Sequence, residues 1–368
     1  MSSPIPLEAP GRAAAASALP APPGGRAEVL PSPLELQAAL PAGEAVSARV
    51  AETRQAIRDL LHGRDPKRLL AVVGPCSIHD PRAALEYARL LEKTARATRD
   101  QLVIVMRTYF EKPRTSVGWK GWIYDPHLDG SGDVAAGLRS ARSLLLDVNQ
   151  LGLPCAGEIL DPISCRYLSD LMSWGAIGAR TAESQTHREL ASGLPMPIGV
   201  KNPTHGDLDV AVNAMQAVAA PHPVLGLSDS GAAAVLRTPG NPDGSLVLRG
   251  SVQRPNFHPL DVAAALRALR RSRGADLERP LLVDCSHDNS RQDHRRQGEV
   301  ARSVFRQIRG GQRAIMGFLL EGHLRPGRQP LGDGRALEYG LSITDACIGW
   351  PETEALLFEA AEAVERSR

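Results

Sequence analysis

Cys76, His287 and Glu321 offer a thiolate, an imidazole and a carboxylate, and each stands at the end of an apolar run: LLAVVGPC, LLVDCSH and IMGFLLE. Asp345, in SITDACIGW beyond the last run, supplies a fourth candidate ligand. A mixed set of sulfur, nitrogen and two oxygens suits a first-row divalent ion, Mn, Fe, Co or Zn. It is too soft for Ca²⁺ and lacks the four-Cys/His pattern of structural zinc. Five more apolar runs end on chemistry: LVIVMR on Arg107, CAGE on Glu158, IGAR on Arg180, PIGVK on Lys201 and SLVLR on Arg249. With Lys112, Arg114 and Lys120 from FEKPRTSVGWK, seven cations are expected around one site. Unpaired, they would repel one another. Polyanionic ligands resolve that repulsion, and Arg suits bidentate phosphate or carboxylate contacts. The competing expectation is that Glu111, Asp125, Glu158, Asp161 and Glu183 neutralise them in structural ion pairs.

Residues spread from 76 to 345 converge only if strand ends share one face of the fold. A β/α barrel does this, because its active site is built where the strands end and the βα loops begin. Its strands are buried on both faces and read as continuous apolar runs. The chain alternates accordingly, from an amphipathic helix over 45–63 to strand 68–76, helix 81–97 and strand 101–108. A long polar loop across 110–132 is followed by helix 133–151, strand 154–159, helix 164–174 and strand 176–181. Then come helix 185–193, strand 197–202 and helix 207–219. The alternation pauses at 222–244, where an inserted β-hairpin is expected before the sixth strand. It resumes with strand 245–250, helix 259–273, strand 280–286, helix 297–309, strand 313–321 and a closing helix 351–366. Eight βα units without a break in composition predict a single α/β (β/α)8 TIM barrel over 45–368. Residues 1–44 read as a flexible Pro/Ala-rich N-terminal extension.

Composition narrows the classes. With 43% hydrophobic and 23% charged residues and a net charge of +2, the chain reads as a soluble globular protein without a nucleic-acid or membrane surface. No apolar run approaches the roughly 18 residues that a membrane span needs. The N-terminus lacks the charged head and apolar stretch of a secretory signal. Five scattered cysteines fit a reducing cytoplasm rather than a disulfide framework. Of the 43 Lys and Arg residues only Lys67, Lys93, Lys112, Lys120 and Lys201 are lysines, and three of these fall in candidate site segments. An ammonium is not interchangeable with the planar Arg fork.

The segments GPCSIHD, FEKPRTSVGWKGWIYDP, DLMSWGAIGARTAESQTHRELASGL, LRG, DCSHDNS and SITDACIGW resemble the type I 3-deoxy-D-arabino-heptulosonate 7-phosphate (DAHP) synthases, from about residue 45 to 360. The resemblance implies a β/α barrel, a divalent metal, and condensation of phosphoenolpyruvate with erythrose 4-phosphate in a cytoplasmic homo-oligomer, a dimer or tetramer. The metal ligands then fall on Cys76, His287, Glu321 and Asp345. Phosphoenolpyruvate contacts fall on Arg107, Lys120, Ala179, Arg180, Lys201 and Arg249, and erythrose 4-phosphate contacts on Lys112, Pro113, Arg114 and Thr115. Catalytic roles fall to Lys112 as proton donor, Glu158 as orienter of water, and His287.

Two rival readings remain. A related synthase uses arabinose 5-phosphate, but carries a longer K-A-N-R-type loop where this chain has Lys112-Pro113-Arg114-Thr115. A non-catalytic paralogue would only bind metabolites. Near Cys165, Arg166, Pro195, Asp229 and Ser230 the chain departs from the family's pattern, which implies weak or altered inhibition by aromatic amino acids. Without metal, Cys76 is expected to be an exposed thiolate of depressed pKa beside the cations.

Overall fold

The structure, a computed structural model, describes residues 27–114, 117–273, 277–332 and 336–367. Eight parallel strands close on themselves: β1 (Leu69–Gly74), β2 (Leu102–Arg107), β3 (Cys155–Glu158), β4 (Met172–Ile177), β5 (Ile198–Lys201), β8 (Gly244–Leu248), β9 (Leu281–Asp284) and β10 (Ile315–Glu321). β1 pairs with both β2 and β10, so the first and last strands share the closing seam. Residues of all eight strands are buried except Glu158, which is half-buried at the end of β3.

Alternation along each strand divides the core in two. Leu70, Val72, Val103, Val105, Trp174, Val247, Leu282, Met316 and Leu319 form one cluster with Ile57, Leu60 and Leu61. Those three come from helix α2 (Glu44–Leu61), which packs its apolar face against this inner set. Leu69, Ala71, Val73, Ile104, Met106 and Phe318 belong to the larger cluster shared with the surrounding helices. Those helices begin on side-chain caps. Asp80 accepts from the Arg82 and Ala83 amides at the start of α3 (Pro81–Ala97), with Pro81 at the first position, where its missing N–H costs nothing. Asp133 does the same for Ala136 at α4 (Val134–Gln150). The inserted hairpin is present as β6 (His222–Leu227) and β7 (Ala233–Thr238), antiparallel and outside the barrel.

Two expectations need correction. Part of the supposed flexible extension is ordered: Pro33–Ala39 forms a helix, α1, with a complete capping box between Ser32 and Glu35 and with Leu36 buried in the main core. Residues 1–26 lie outside the described residues. The fourth barrel strand is also displaced: it is Met172–Ile177 rather than 176–181, and the preceding helix, α5, is only Ser164–Leu168. Trp174 decides this register, because its ring is fully buried and fills the barrel interior. The GAR of IGAR therefore lies in the loop after the strand. Among the described residues no helix is long and apolar enough to cross a membrane.

Candidate active site

The site residues divide between the last strand positions and the loops that follow them. Cys76 lies two residues past β1, while Arg180 and His287 lie three residues past β4 and β9. Glu321, Arg107 and Lys201 end their strands.

Barrel closure brings the ligands together. Single donor atoms of Cys76, Glu321 and Asp345 lie within 4.8 Å of one another. His287 joins them, with Nε2 3.7 Å from a Glu321 oxygen. Its Nδ1 is engaged on the other side by Asp284 Oδ2 at 3.0 Å and Ser286 Oγ at 2.6 Å. A carboxylate on one ring nitrogen and an open second nitrogen is the arrangement that orients a metal-ligating histidine. A sulfur and two carboxylates that converge, with an oriented imidazole beside Glu321, therefore make a donor set that fits a first-row divalent ion.

Burial is complete at Cys76, so the expected exposed, easily ionised thiolate is not found. Desolvation, reinforced by Glu321 and Asp345, pushes the thiol up to about 12 despite the Lys112 ammonium 3.0 Å from Sγ. All five cysteines are unpaired and buried. Asp345 moves the other way, down to about 2, because Lys112 and His287 outweigh its burial. Asp284 is fully buried, yet His287, Lys201 and Arg107 overcome desolvation and hold its carboxyl well below the usual range.

Beside this cluster lies a cavity of about 130 Å³ lined by Lys112, Pro113, Arg114, Glu158, Gly178, Ala179, Arg180, Lys201, Thr204, Arg249, His287, Gln292, Thr344 and Asp345. A second cavity of about 160 Å³ adjoins it, and His287, Gln292 and Asp345 line both. Glycine at 178 leaves room for Glu158: a Cβ there would stand 2.2 Å from Oε1 and push that carboxylate aside.

Most of the expected cations reach this cavity, but two do not line it. Lys120 is exposed; its carbonyl accepts from the Lys112 amide at 2.9 Å, and its Nζ stands 6.0 Å from the Tyr124 ring centroid. Arg107 lies fully buried, with Nη2 2.8 Å from Glu321 Oε1 and its guanidinium 3.9 Å over the Tyr109 ring. Thr115 lies outside the described residues.

The neutralising acids are not the ones the sequence suggested. Arg107 pairs with Glu321, Lys201 with Asp284, Arg249 with Asp288 and Lys112 with Asp345. Glu111 instead accepts from Ser164 Oγ, and Asp161 from Tyr124 Oη. Asp284, Thr204, Gln292 and Thr344 were missed. Asp284 alone carried a usable signal, as an acid three residues before the candidate ligand His287 in DCSH.

Residues 44–358 match the model of the DAHP synthetase I family. The chain is 54% identical over 333 residues to the Tyr-sensitive phospho-2-dehydro-3-deoxyheptonate aldolase of Escherichia coli (strain K12), covering 90% of this chain and 92% of that one. It is 51% identical over 341 residues to the Phe-sensitive enzyme of the same strain, covering 93% and 96%. The solved structure of a phospho-2-dehydro-3-deoxyheptonate aldolase from Francisella tularensis SCHU S4 superposes with a TM-score of 0.90 at 43% identity, over 93% of this chain and 99% of that one. The chain belongs to the DAHP synthetase I family.

Proposed function

We propose that the chain condenses phosphoenolpyruvate with erythrose 4-phosphate and water to give DAHP and inorganic phosphate, the first step of the shikimate pathway, at the barrel mouth described above. The family is metal-dependent, and the observation that carries the reading is the shared wall between the ligand cluster and the cation-lined cavity. Cys76, His287, Glu321 and Asp345 would hold one ion of Mn, Fe, Co or Zn. When bound there, such an ion supplies polarisation of the aldehyde carbonyl.

The protein's own side chains do the rest. Arg180, Lys201 and Arg249, with the backbone at Ala179, bind the phosphate and carboxylate of phosphoenolpyruvate. Arg107, beneath the site, holds Glu321 in place through its 2.8 Å contact. Pro113 and Arg114 seat the aldose phosphate, with Lys120 and Thr115 as further contacts of their respective substrates. Carbon 3 of phosphoenolpyruvate attacks the aldehyde carbon, forming a C–C bond and leaving an alkoxide and a cationic carbon 2. Lys112 gives the alkoxide its proton. Burial pulls Lys112 down, but Cys76, Asp345 and Glu321 together hold it above its ordinary value, so it meets substrate protonated. Water oriented by Glu158 adds at carbon 2 and gives up one proton to solvent; the C2–O bond to phosphate then breaks and the remaining hydroxyl proton leaves with the phosphate, so that the ketone is left.

The reading extends to a cytoplasmic assembly of two or four copies, which family resemblance suggests and sedimentation tests. Turnover is tested with purified protein and each divalent ion. Phosphate release with erythrose 4-phosphate is expected. Equal release with arabinose 5-phosphate would favour the rival synthase, and none with either aldose the metabolite-binding paralogue. Cys76→Ala should fold yet lose metal and turnover. Near-normal turnover of that variant in metal-replete buffer would sink the ligand assignment.

A further inference from the structure

One cation of the phosphate cavity is held by an acidic residue that does not itself line that cavity. Arg249 follows β8, is 5% exposed, and lines the phosphate cavity. Its Nη1 donates to Oδ2 of Asp288, its acidic partner among the described residues, while its buried Nε finds no partner. A buried guanidinium with one terminal nitrogen held and Nε unsatisfied is half of a bidentate site, because the edge formed by Nε and Nη2 matches two oxygens of a phosphate.

Asp288 is itself fixed from three directions. Its other oxygen, Oδ1, accepts from Gln292 Nε2 at 2.8 Å. Gln292 holds a left-handed backbone, φ +61, as do His287 at +53 and Arg291 at +54, a costly conformation for residues with side chains. The backbone at Asp288 and Asn289 packs directly on Gly250, where a Cβ would stand 2.5 Å from the Asn289 nitrogen and 2.6 Å from the Asp288 carbonyl carbon. Asn289 laces the two loops further, its amide donating to the Arg249 carbonyl at 3.2 Å and its side chain to Leu248 O at 3.0 Å. The loop after β9 is thus built to deliver one carboxylate oxygen to Arg249.

We propose that Asp288 is a positioning residue that holds Arg249 by Nη1, so that the Nε–Nη2 edge is preset for the phosphate group of phosphoenolpyruvate. The inference rests on the proposed phosphate-binding role of Arg249. Holding a long side chain in its binding rotamer removes an ordering cost that the substrate would otherwise bear. The effect belongs to phosphoenolpyruvate and to inorganic phosphate, and not to the aldose.

Steady-state kinetics of the metal-loaded enzyme test this. Asp288→Ala should raise KM for phosphoenolpyruvate roughly five- to tenfold, weaken competitive inhibition by inorganic phosphate in parallel, and leave KM for erythrose 4-phosphate in place. Asp288→Asn keeps an acceptor oxygen and should recover most of the loss. Gln292→Ala, which frees Asp288 from its support, should show a smaller shift of the same sign and serves if Asp288→Ala does not fold. An unchanged or lower KM for phosphoenolpyruvate in Asp288→Ala overturns the proposal, since the carboxylate would then be idle or a competitor. Loss of bound metal from the variant also overturns it, because the neighbouring His287 would carry the effect. Arg249→Gln separates the two readings: if it leaves KM for phosphoenolpyruvate unchanged, the assignment of Arg249 fails and not the pairing.

Discussion

His287 of the ligand cluster and Lys201 of the phosphate cavity are held by one oxygen, Oδ2 of Asp284, at 3.0 and 2.9 Å. Both halves of the site therefore depend on a carboxylate that touches neither substrate in the proposed arrangement. Asp284→Asn should lower metal affinity about 10- to 100-fold, the usual cost of losing the acid behind a ligating histidine, and raise KM for phosphoenolpyruvate through Lys201. Metal titration followed by calorimetry, and kinetics at saturating metal, read the two effects separately. A variant altered in only one would show that the shared oxygen does not couple them.

The cations of the cavity should separate by substrate. Arg114 is exposed on the loop after β2, with Nε donating to Trp119 O at 2.9 Å, whereas Arg180 enters from the loop after β4. Arg114→Ala should raise KM for the aldose phosphate and Arg180→Ala that for phosphoenolpyruvate, each by the roughly 1.5–3 kcal/mol of a charge-assisted contact. If both variants weaken the same substrate, the two-subsite layout is wrong.

Glu111 predicts a pH effect on stability. It is 6% exposed, accepts one hydrogen bond from Ser164 Oγ, and its second oxygen has no partner. Desolvation, with Asp161 and Glu158 adding to it, pushes its carboxyl from 4.5 up to about 8. A folded-state value above the unfolded one means that the folded chain binds the proton more tightly. The stabilisation is full below about pH 4.5, falls as pH rises, and is gone beyond about pH 8. Between pH 6 and 9 the wild type should lose more Tm than Glu111→Gln, which stays neutral throughout. Parallel Tm–pH curves for the two proteins would show that Glu111 is already ionised in the fold.

Feedback inhibition is expected to be weak. Gln37, Cys165, Arg166, Pro195, Asp229 and Leu236 line a cavity of about 510 Å³ between α1, α5 and the hairpin. Arg166, a cation at this cavity, is already committed to Asp229 at 2.6 Å. Asp229 there would repel an amino-acid carboxylate, which leaves Arg237 as the other cation of the cavity to receive it. Phenylalanine or tyrosine inhibiting the purified enzyme below millimolar concentration would contradict this.

The sequence alone determined seven of the eight barrel strands and where their chemistry would lie, because continuous apolar runs and side-chain caps are local patterns. It named Cys76, Glu321 and Asp345, which the tertiary structure gathers within 4.8 Å. It misplaced β4 by several residues, since IGAR and MSWGAI are equally strand-like until Trp174 is required to fill the barrel interior. It also chose the wrong acids. Glu111 and Asp161 are near the cations in sequence, yet Asp284, Asp288 and Glu321 become their partners only when β2, β5, β8, β9 and β10 meet in the closed barrel. The burial of Cys76 was hidden for the same reason: a cation count forecasts a lowered thiol, but only packing shows that desolvation and two carboxylates prevail. Composition and period act along the chain, whereas charge pairing and desolvation depend on distance through space, and barrel closure alone sets that distance.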